Sequence, residues 1–204
     1  MQQRYSRLNQ SLHWITVICM FALIPLAWVM VNTKPGSGFT PSLFNWHKTL
    51  GAIVLLVTLF RIGWRFVDGP PAFPPAVQAW EQRLARVTYW VFFAALIYMP
   101  VTGLLCSEFT NHPPKLFDEL ATPLIFTPDR QVGAFFTQLH LWGQWAIYAL
   151  IALHLCAVAF HLIFRRDGVL GRMLPAYAAE PASSAPAPDR RPERHPQPAY
   201  GAMR

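Results

Sequence analysis

Residues 139–164 read LHLWGQWAIYALIALHLCAVAFHLIF, an uncharged apolar stretch long enough to cross a membrane as one helix. Two of its histidines, His140 and His154, are fourteen residues apart. On an α-helix that spacing corresponds to about 21 Å, and the second ring lies only about 40° around the axis from the first. One helix therefore presents two imidazoles to the same side, at two depths of a bilayer, where a polar ring requires a partner.

The composition of the whole chain also indicates an integral membrane protein. Of its 204 residues, 53% are hydrophobic and only 13% are charged, which is too apolar for an ordinary soluble domain of this size. Four windows are long enough to span a hydrocarbon core of about 30 Å. They are residues 12–31, 44–66, 87–107 and 139–164. The sequence therefore predicts an all-α fold in which four transmembrane helices form a bundle in the lipid bilayer.

The character of the chain changes after the last window. Residues 176–204 are rich in Pro and Ala with interspersed Arg, and such a segment cannot bury enough apolar surface to offset the entropy of ordering. We predict two parts, a membrane domain over residues 1–175 and a disordered cytoplasmic tail over residues 176–204.

The distribution of Lys and Arg predicts the orientation in the membrane. One side receives nine basic residues and the other receives four. The nine are Arg4, Arg7, Arg61, Arg65, Arg83, Arg86, Arg165, Arg166 and Arg172, and the four are Lys34, Lys48, Lys115 and Arg130. Both termini are therefore expected in the cytoplasm. The net charge of +7 is then largely a topology signal, which argues against nucleic acid as a partner.

Two further histidines lie at the depths where partners are needed. His13 begins the first window and His47 begins the second. Counting about 1.5 Å per residue, His13 matches His154 on the cytoplasmic side, and His47 matches His140 on the outer side. A single intramembrane histidine is usually structural, but four that sort into two depth-matched pairs indicate ligands. His112, in a Pro-rich loop, is interpreted as a solvated surface residue.

Two imidazoles at the same depth of a helix bundle are typical ligands of a bound cofactor. Helix-bundle cores commonly house cofactors, and two neutral imidazoles suit a haem iron. A zinc or copper site is the competing interpretation, but it requires three or four donors close together. Small residues near the histidines, Gly51, Gly103 and Gly143, leave room for a flat ring or for a helix contact. The chain has no C-x-x-C-H motif, which excludes covalent c-type haem attachment.

A set of motifs runs through residues 4–175. It comprises Arg4-Tyr5-Ser6-Arg7-Leu8 followed by His13-Trp14, His47 with Gly51, the Arg61/Arg65 pair, Pro-Val-Thr-Gly at 100–103, and the series His140, His154 and His161. Together these motifs resemble the prokaryotic cytochrome b561 family. The resemblance implies a bacterial inner-membrane bundle enclosing two b-type haems, with His13, His47, His140 and His154 as axial ligands to iron. It also implies electron exchange with the quinone pool, and one activity in the family oxidises periplasmic superoxide while reducing ubiquinone.

Four further residues are candidates for secondary roles at these sites. Lys48, together with Lys34, gives the outer mouth positive charge that would attract an anionic donor or pair with haem propionates; interfacial snorkelling is the alternative. Arg61 and Arg65, at i and i+4, are candidates to hold the inner propionates or to act only as positive-inside anchors. His161, two turns beyond His154, is a candidate propionate partner, quinone contact or proton relay.

These observations leave three function classes. The first is a self-contained quinone-linked oxidoreductase, with superoxide or a redox protein as electron donor. The second is a haem-bearing membrane anchor that relays electrons for a partner dehydrogenase or hydrogenase. The third is a metal transporter with intramembrane histidines, which predicts no haem spectrum. Ligation of each iron by two histidines favours electron passage over oxygen activation, because it leaves no coordination position open.

Overall fold

The structure is a computed structural model that describes residues 4–34, 36–38, 40–75 and 77–175. Its four long helices are α1 (Arg7–Asn32), α2 (Thr40–Asp68), α3 (Ala79–Phe109) and α4 (Arg130–Phe160). A π-helical turn (His161–Arg165) continues α4, and a 3₁₀ turn (Leu170–Arg172) follows it. All four helices are long and apolar enough to cross a membrane, so the predicted four-helix membrane fold is confirmed. The predicted tail, residues 176–204, lies outside the described residues.

All four helices begin before the apolar windows, and the first three also end after them. The third helix begins at Ala79 and the fourth at Arg130, well before the predicted starts at 87 and 139. Polar caps explain the difference, since the first backbone N–H groups of a helix need acceptors. Glu81 accepts a hydrogen bond from the Gln78 N–H (2.7 Å), and Asp129 accepts from the first turn of α4. Hydropathy predicts the hydrocarbon-spanning part of a helix and misses these polar turns.

Consecutive helices pack side by side, α1 on α2, α2 on α3 and α3 on α4, with the most extensive contact between α3 and α4. Large apolar side chains point away from the bundle; Phe21 is 82% exposed and Leu56 is 67% exposed. Surface of this kind is costly in water and is compatible with lipid. The outer faces of the bundle therefore contact the bilayer.

A layer of four buried apolar side chains fills the middle of the bundle. Each helix supplies one of them: Leu23, Val54, Leu96 and Ile147. Ile147 lies seven residues from each of His140 and His154 along α4. The layer therefore separates the bundle into two halves, each of which contains one depth-matched pair of histidines.

A short β-hairpin covers one end of the bundle. Strand β1 (Lys115–Leu116) pairs antiparallel with β2 (Leu120–Ala121), and the turn between them docks on the start of α2. The carboxylate of Asp118 accepts hydrogen bonds from Ser42 Oγ and from Asn45 Nδ2 (2.7 Å). These two bonds hold the pKa of Asp118 below its usual value. The hairpin is thus fixed to the helix that carries His47.

Both ends of the described chain meet at the opposite end of the bundle. The backbone N–H of Tyr5 donates to the Arg172 carbonyl (3.3 Å), and Trp14 Nε1 donates to the Met173 carbonyl (2.9 Å). The guanidinium of Arg172 donates to the Ala72 carbonyl (2.8 Å) in the connector between α2 and α3. The amino-terminal arm, this connector and the segment after α4 therefore share one side of the membrane.

Candidate functional site

The rings of His47 and His140 lie next to each other between α2 and α4, in an edge-type arrangement. Their centroids are 6.2 Å apart and their planes are nearly perpendicular, at 84°. Two metal–imidazole bonds of about 2 Å each, with about 1.1 Å from each bonded nitrogen to its ring centre, give a separation of about 6 Å. The spacing therefore fits two imidazoles on opposite sides of one metal ion.

Helix α3 orients the His140 ring. Nδ1 of His140 donates to the Met99 carbonyl (2.9 Å), and Thr102 Oγ1 lies 3.2 Å from the same nitrogen. A Cβ atom at Gly103 would lie 2.9 Å from His140 Cε1, so the ring reaches this position only because residue 103 is glycine. A hydrogen bond at Nδ1 leaves Nε2 as the nitrogen that can ligate a metal.

A cavity of about 1050 Å³ is lined by both His47 and His140. Its walls are largely apolar and come from all four helices and the hairpin segment, and Gly51 and Gly103 both contribute to them. Cofactor sites are typically apolar clefts of about 300–1,000 Å³ with a few polar groups. The two imidazoles and the size of the cavity fit a large flat cofactor.

The donor set argues against zinc or copper. Within the described ranges of the chain, no group of three or more His, Cys, Asp or Glu side chains is placed to hold a metal ion. Protein zinc sites use three or four such ligands, whereas a haem iron needs only the two axial ones from the protein. The residues of this site therefore fit haem.

The second pair, His13 and His154, lies in the other half of the bundle. The two imidazoles are near enough to interact electrostatically. His154 packs edge-on against Phe92 with 5.5 Å between ring centroids, and His13 packs in the same way against Trp14. The structure thus brings these two histidines to one region, where each ring packs against an aromatic side chain.

Arg61 and Arg65 line one face of α2 beside this second pair. Arg61 Nη1 donates to Thr16 Oγ1 (3.2 Å), and the Arg61 guanidinium interacts electrostatically with His13. The Arg65 guanidinium stacks over the Tyr89 ring at 4.3 Å. Arg61 is therefore positioned toward the histidine pair, while Arg65 is held one turn further out by an aromatic ring of α3.

Lys48 and His161 are each held by a specific partner. Lys48 Nζ donates to the His112 carbonyl (2.7 Å), and both residues line the cavity beside His47 and His140. His161 Nδ1 donates to Asp167 Oδ2 (2.6 Å), and the Asp167 side chain is only 1% exposed. Burial acts to raise the pKa of Asp167, but the hydrogen bonds from His161 and from the Val169 N–H outweigh it and lower that pKa.

Three features of these sites were not predicted from the sequence. They are the Met99 carbonyl beneath His140, the Asp167 partner of His161, and Glu108, which is 2% exposed and accepts from the Ile125 N–H (2.7 Å). A carboxylate six residues after a histidine was a usable signal for Asp167. Backbone carbonyls and loop amides leave no signal in the sequence. His112, interpreted as a solvated surface residue, is exposed but also contributes to the wall of the cavity.

A four-helix membrane bundle with paired intramembrane imidazoles around a cofactor-sized cavity is the arrangement of a membrane-bound b-type cytochrome. The chain belongs to the prokaryotic cytochrome b561 family, whose model matches residues 4–176. It is similar to cytochrome b561 homolog 2 of Escherichia coli (strain K12), with 23% identity over 84% of this chain and 92% of that protein. It is also similar to cytochrome b561 homolog 1 of the same organism, with 25% identity over 84% of this chain and 97% of that protein. It is therefore a multi-pass bacterial membrane cytochrome of the haem b type that functions in electron transfer.

Proposed function

We propose that this protein carries electrons between two haems b, one in each half of the bundle, and exchanges them with the quinone pool. His47 and His140 would ligate the outer haem, and His13 and His154 the inner one. The observation that carries the proposal is the separation of 6.2 Å between the His47 and His140 rings. When bound, haem supplies a one-electron carrier whose potential is set by its axial ligands and surroundings.

The chain contributes orientation, insulation and charge. Met99 and Gly103 orient His140 from α3, and the layer of Leu23, Val54, Leu96 and Ile147 separates the two halves. This layer excludes water from the middle of the bundle, because apolar side chains offer no hydrogen-bonding partner. Electrons would cross it between the two sites, whereas ions would not.

The Lys48 ammonium at the cavity favours a small anionic donor, and superoxide is the donor we propose. Lys48 lines the cavity beside His47, and its ammonium is held at the His112 carbonyl. A cation at the mouth of a narrow site raises the local concentration of anions and their rate of association. Lys34, in the connector between α1 and α2, adds positive charge on the same side.

The inner side would accept the electrons and pass them to ubiquinone. Arg61, beside His13, is the candidate to bind a haem propionate, and Arg65 is a second. His161 is the candidate quinone contact and proton relay, since its Nδ1 proton is donated to a buried carboxylate. Quinone reduction consumes protons, and a histidine paired with a carboxylate is a suitable group to deliver them.

We propose that both termini face the cytoplasm. The excess of Lys and Arg supports this orientation, and the contacts of Tyr5 and Trp14 with residues 172–173 support a single side for both ends. The hairpin of β1 and β2 would then face the periplasm, together with the outer cavity that it covers.

The function is tested with the purified protein, ubiquinone and a superoxide-generating system. We expect quinone reduction at a rate that falls in Lys48→Gln and is unchanged in Lys115→Gln, a matched control on the exposed hairpin. The rate should also fall with increasing ionic strength, because charge steering is screened by salt. Absence of turnover in the purified protein, with its haems intact, would contradict the proposal and favour a relay for a partner enzyme.

A further inference from the structure

The two imidazoles of the outer site are supported unequally. Nδ1 of His140 donates to the Met99 carbonyl and has Thr102 Oγ1 at 3.2 Å. Nδ1 of His47 is buried and has no hydrogen-bond partner among the described residues. Two ligands that are equivalent by sequence therefore differ in what holds them in place.

This difference acts directly on ligand strength. A neutral imidazole that ligates through Nε2 keeps its proton on Nδ1, and an acceptor for that proton fixes the ring and makes it a better donor. A buried N–H without an acceptor has instead given up its hydrogen bond to water without replacement, which costs free energy. The hydrogen bond to Met99 therefore stabilises the ligating position of His140, whereas the unmet Nδ1 donor destabilises that of His47.

Packing against α3 confines the His140 ring further. A Cβ atom at Gly103 would lie 2.9 Å from His140 Cε1 and 3.2 Å from its Nδ1, so the ring lies directly against α3. The His140 ring is therefore held both by a hydrogen bond and by close contact with the α3 backbone.

We propose that His140 is the anchoring ligand of the outer site and His47 the exchangeable one, so that a small neutral nitrogen donor of the imidazole class can replace the His47 ring. The proposal rests on the proposed haem at this site. The exchange breaks one iron–nitrogen bond and forms another, with no net transfer of protons or electrons.

The test compares His47→Ala and His140→Ala, purified in a series of imidazole concentrations, by the haem content per chain. Retention of the inner haem shows that each variant is folded. We expect imidazole to restore the outer haem in His47→Ala at a concentration at least about tenfold lower than in His140→Ala. The reason is that His47, the ligand that remains in His140→Ala, carries the cost of one unmet buried donor. Equal concentrations, or the reverse order, would overturn the proposal.

A conservative pair of variants keeps the inference testable if the histidine variants do not fold. Gly103→Ala displaces the His140 ring from the Met99 carbonyl, because the added Cβ atom would lie 2.9 Å from His140 Cε1. Gly63→Ala on α2 is the matched control, since its added Cβ atom meets no neighbouring heavy atom within 4 Å. We expect faster transfer of the outer haem to apomyoglobin from Gly103→Ala than from Gly63→Ala. Equal rates in the two variants would overturn the anchoring role of His140. A wild-type protein that contains no outer haem would instead refute the proposed function.

Discussion

The substitution Gly103→Ala tests whether α3 positions the outer ligand. The added Cβ atom would lie 2.9 Å from His140 Cε1, a distance at which one of the two must move. The ring is the end of a side chain and can swing aside, so the bundle should still fold. In doing so it loses its hydrogen bond to Met99 O. That bond contributes about 0.5–1.5 kcal/mol, and an unmet buried donor costs about 1–3 kcal/mol. The affinity for the outer haem should therefore fall roughly 10- to 100-fold.

The assay is haem titration of the purified variant, followed by pyridine haemochrome quantification. Gly63→Ala is the matched control, because it lies in helix α2 with no heavy atom within 4 Å of the added Cβ. It should keep full haem content and gain about 0.5–1 kcal/mol of helix stability. If Gly103→Ala binds the outer haem as tightly as the wild-type protein, the assignment of α3 as the support of His140 is refuted.

Three further predictions concern the β-hairpin, the interface between α3 and α4, and the pair of His161 and Asp167. The pKa of Asp118 is lowered by its hydrogen bonds, so the stability that these bonds give the β-hairpin is present above the usual carboxyl pKa of about 3.9 and is lost as the pH falls through the lower folded value. Hydrogen-exchange protection factors of residues 115–121, which are exchange rates corrected for the intrinsic pH dependence of amide exchange, should therefore fall on acidification of the wild-type protein; protection factors that do not change with pH would count against this. Gly143→Ala places a Cβ atom 2.6 Å from Tyr98 Cε1, so it should destabilise the bundle by about 1–3 kcal/mol. This loss should appear as a lower Tm in detergent, and an unchanged Tm would show that α3 and α4 pack differently. Asp167→Asn weakens the bond to His161, so quinone reduction should slow several-fold with haem content unchanged, and an unaffected rate would exclude this pair from proton delivery.

The sequence predicts the spans and the depths of the histidines because both depend on local periodicity. The fourteen-residue spacing of His140 and His154 is a property of one helix, and hydropathy identifies that helix without reference to its neighbours. The contact of His140 with Met99 and Gly103 depends on how α3 is rotated against α4. That rotation is set by the packing between the two helices, so it cannot be predicted from the pattern of a single sequence.

The hairpin was not predicted for a related reason. Its strands are two residues each, too short to show an alternating pattern. Phe117 and Asp118 both adopt positive φ angles, of 55° and 61°, in a turn without glycine, which removes the usual turn signal. Hydrogen bonds from Ser42 and Asn45 to Asp118 help hold this turn in place, and these long-range partners are 73–76 residues away.

The proposed electron transfer depends on two haems b that are bound by depth-matched histidine pairs. Reduced-minus-oxidised spectroscopy with haem quantification tests this binding on the wild-type protein and on the alanine variants of His13, His47, His140 and His154. We predict two haems b per chain, with His47→Ala and His140→Ala altering one and the same haem spectrum, and His13→Ala and His154→Ala altering the other. A protein without haem, or a shared effect of His13→Ala and His140→Ala on one haem, would contradict this assignment of ligands.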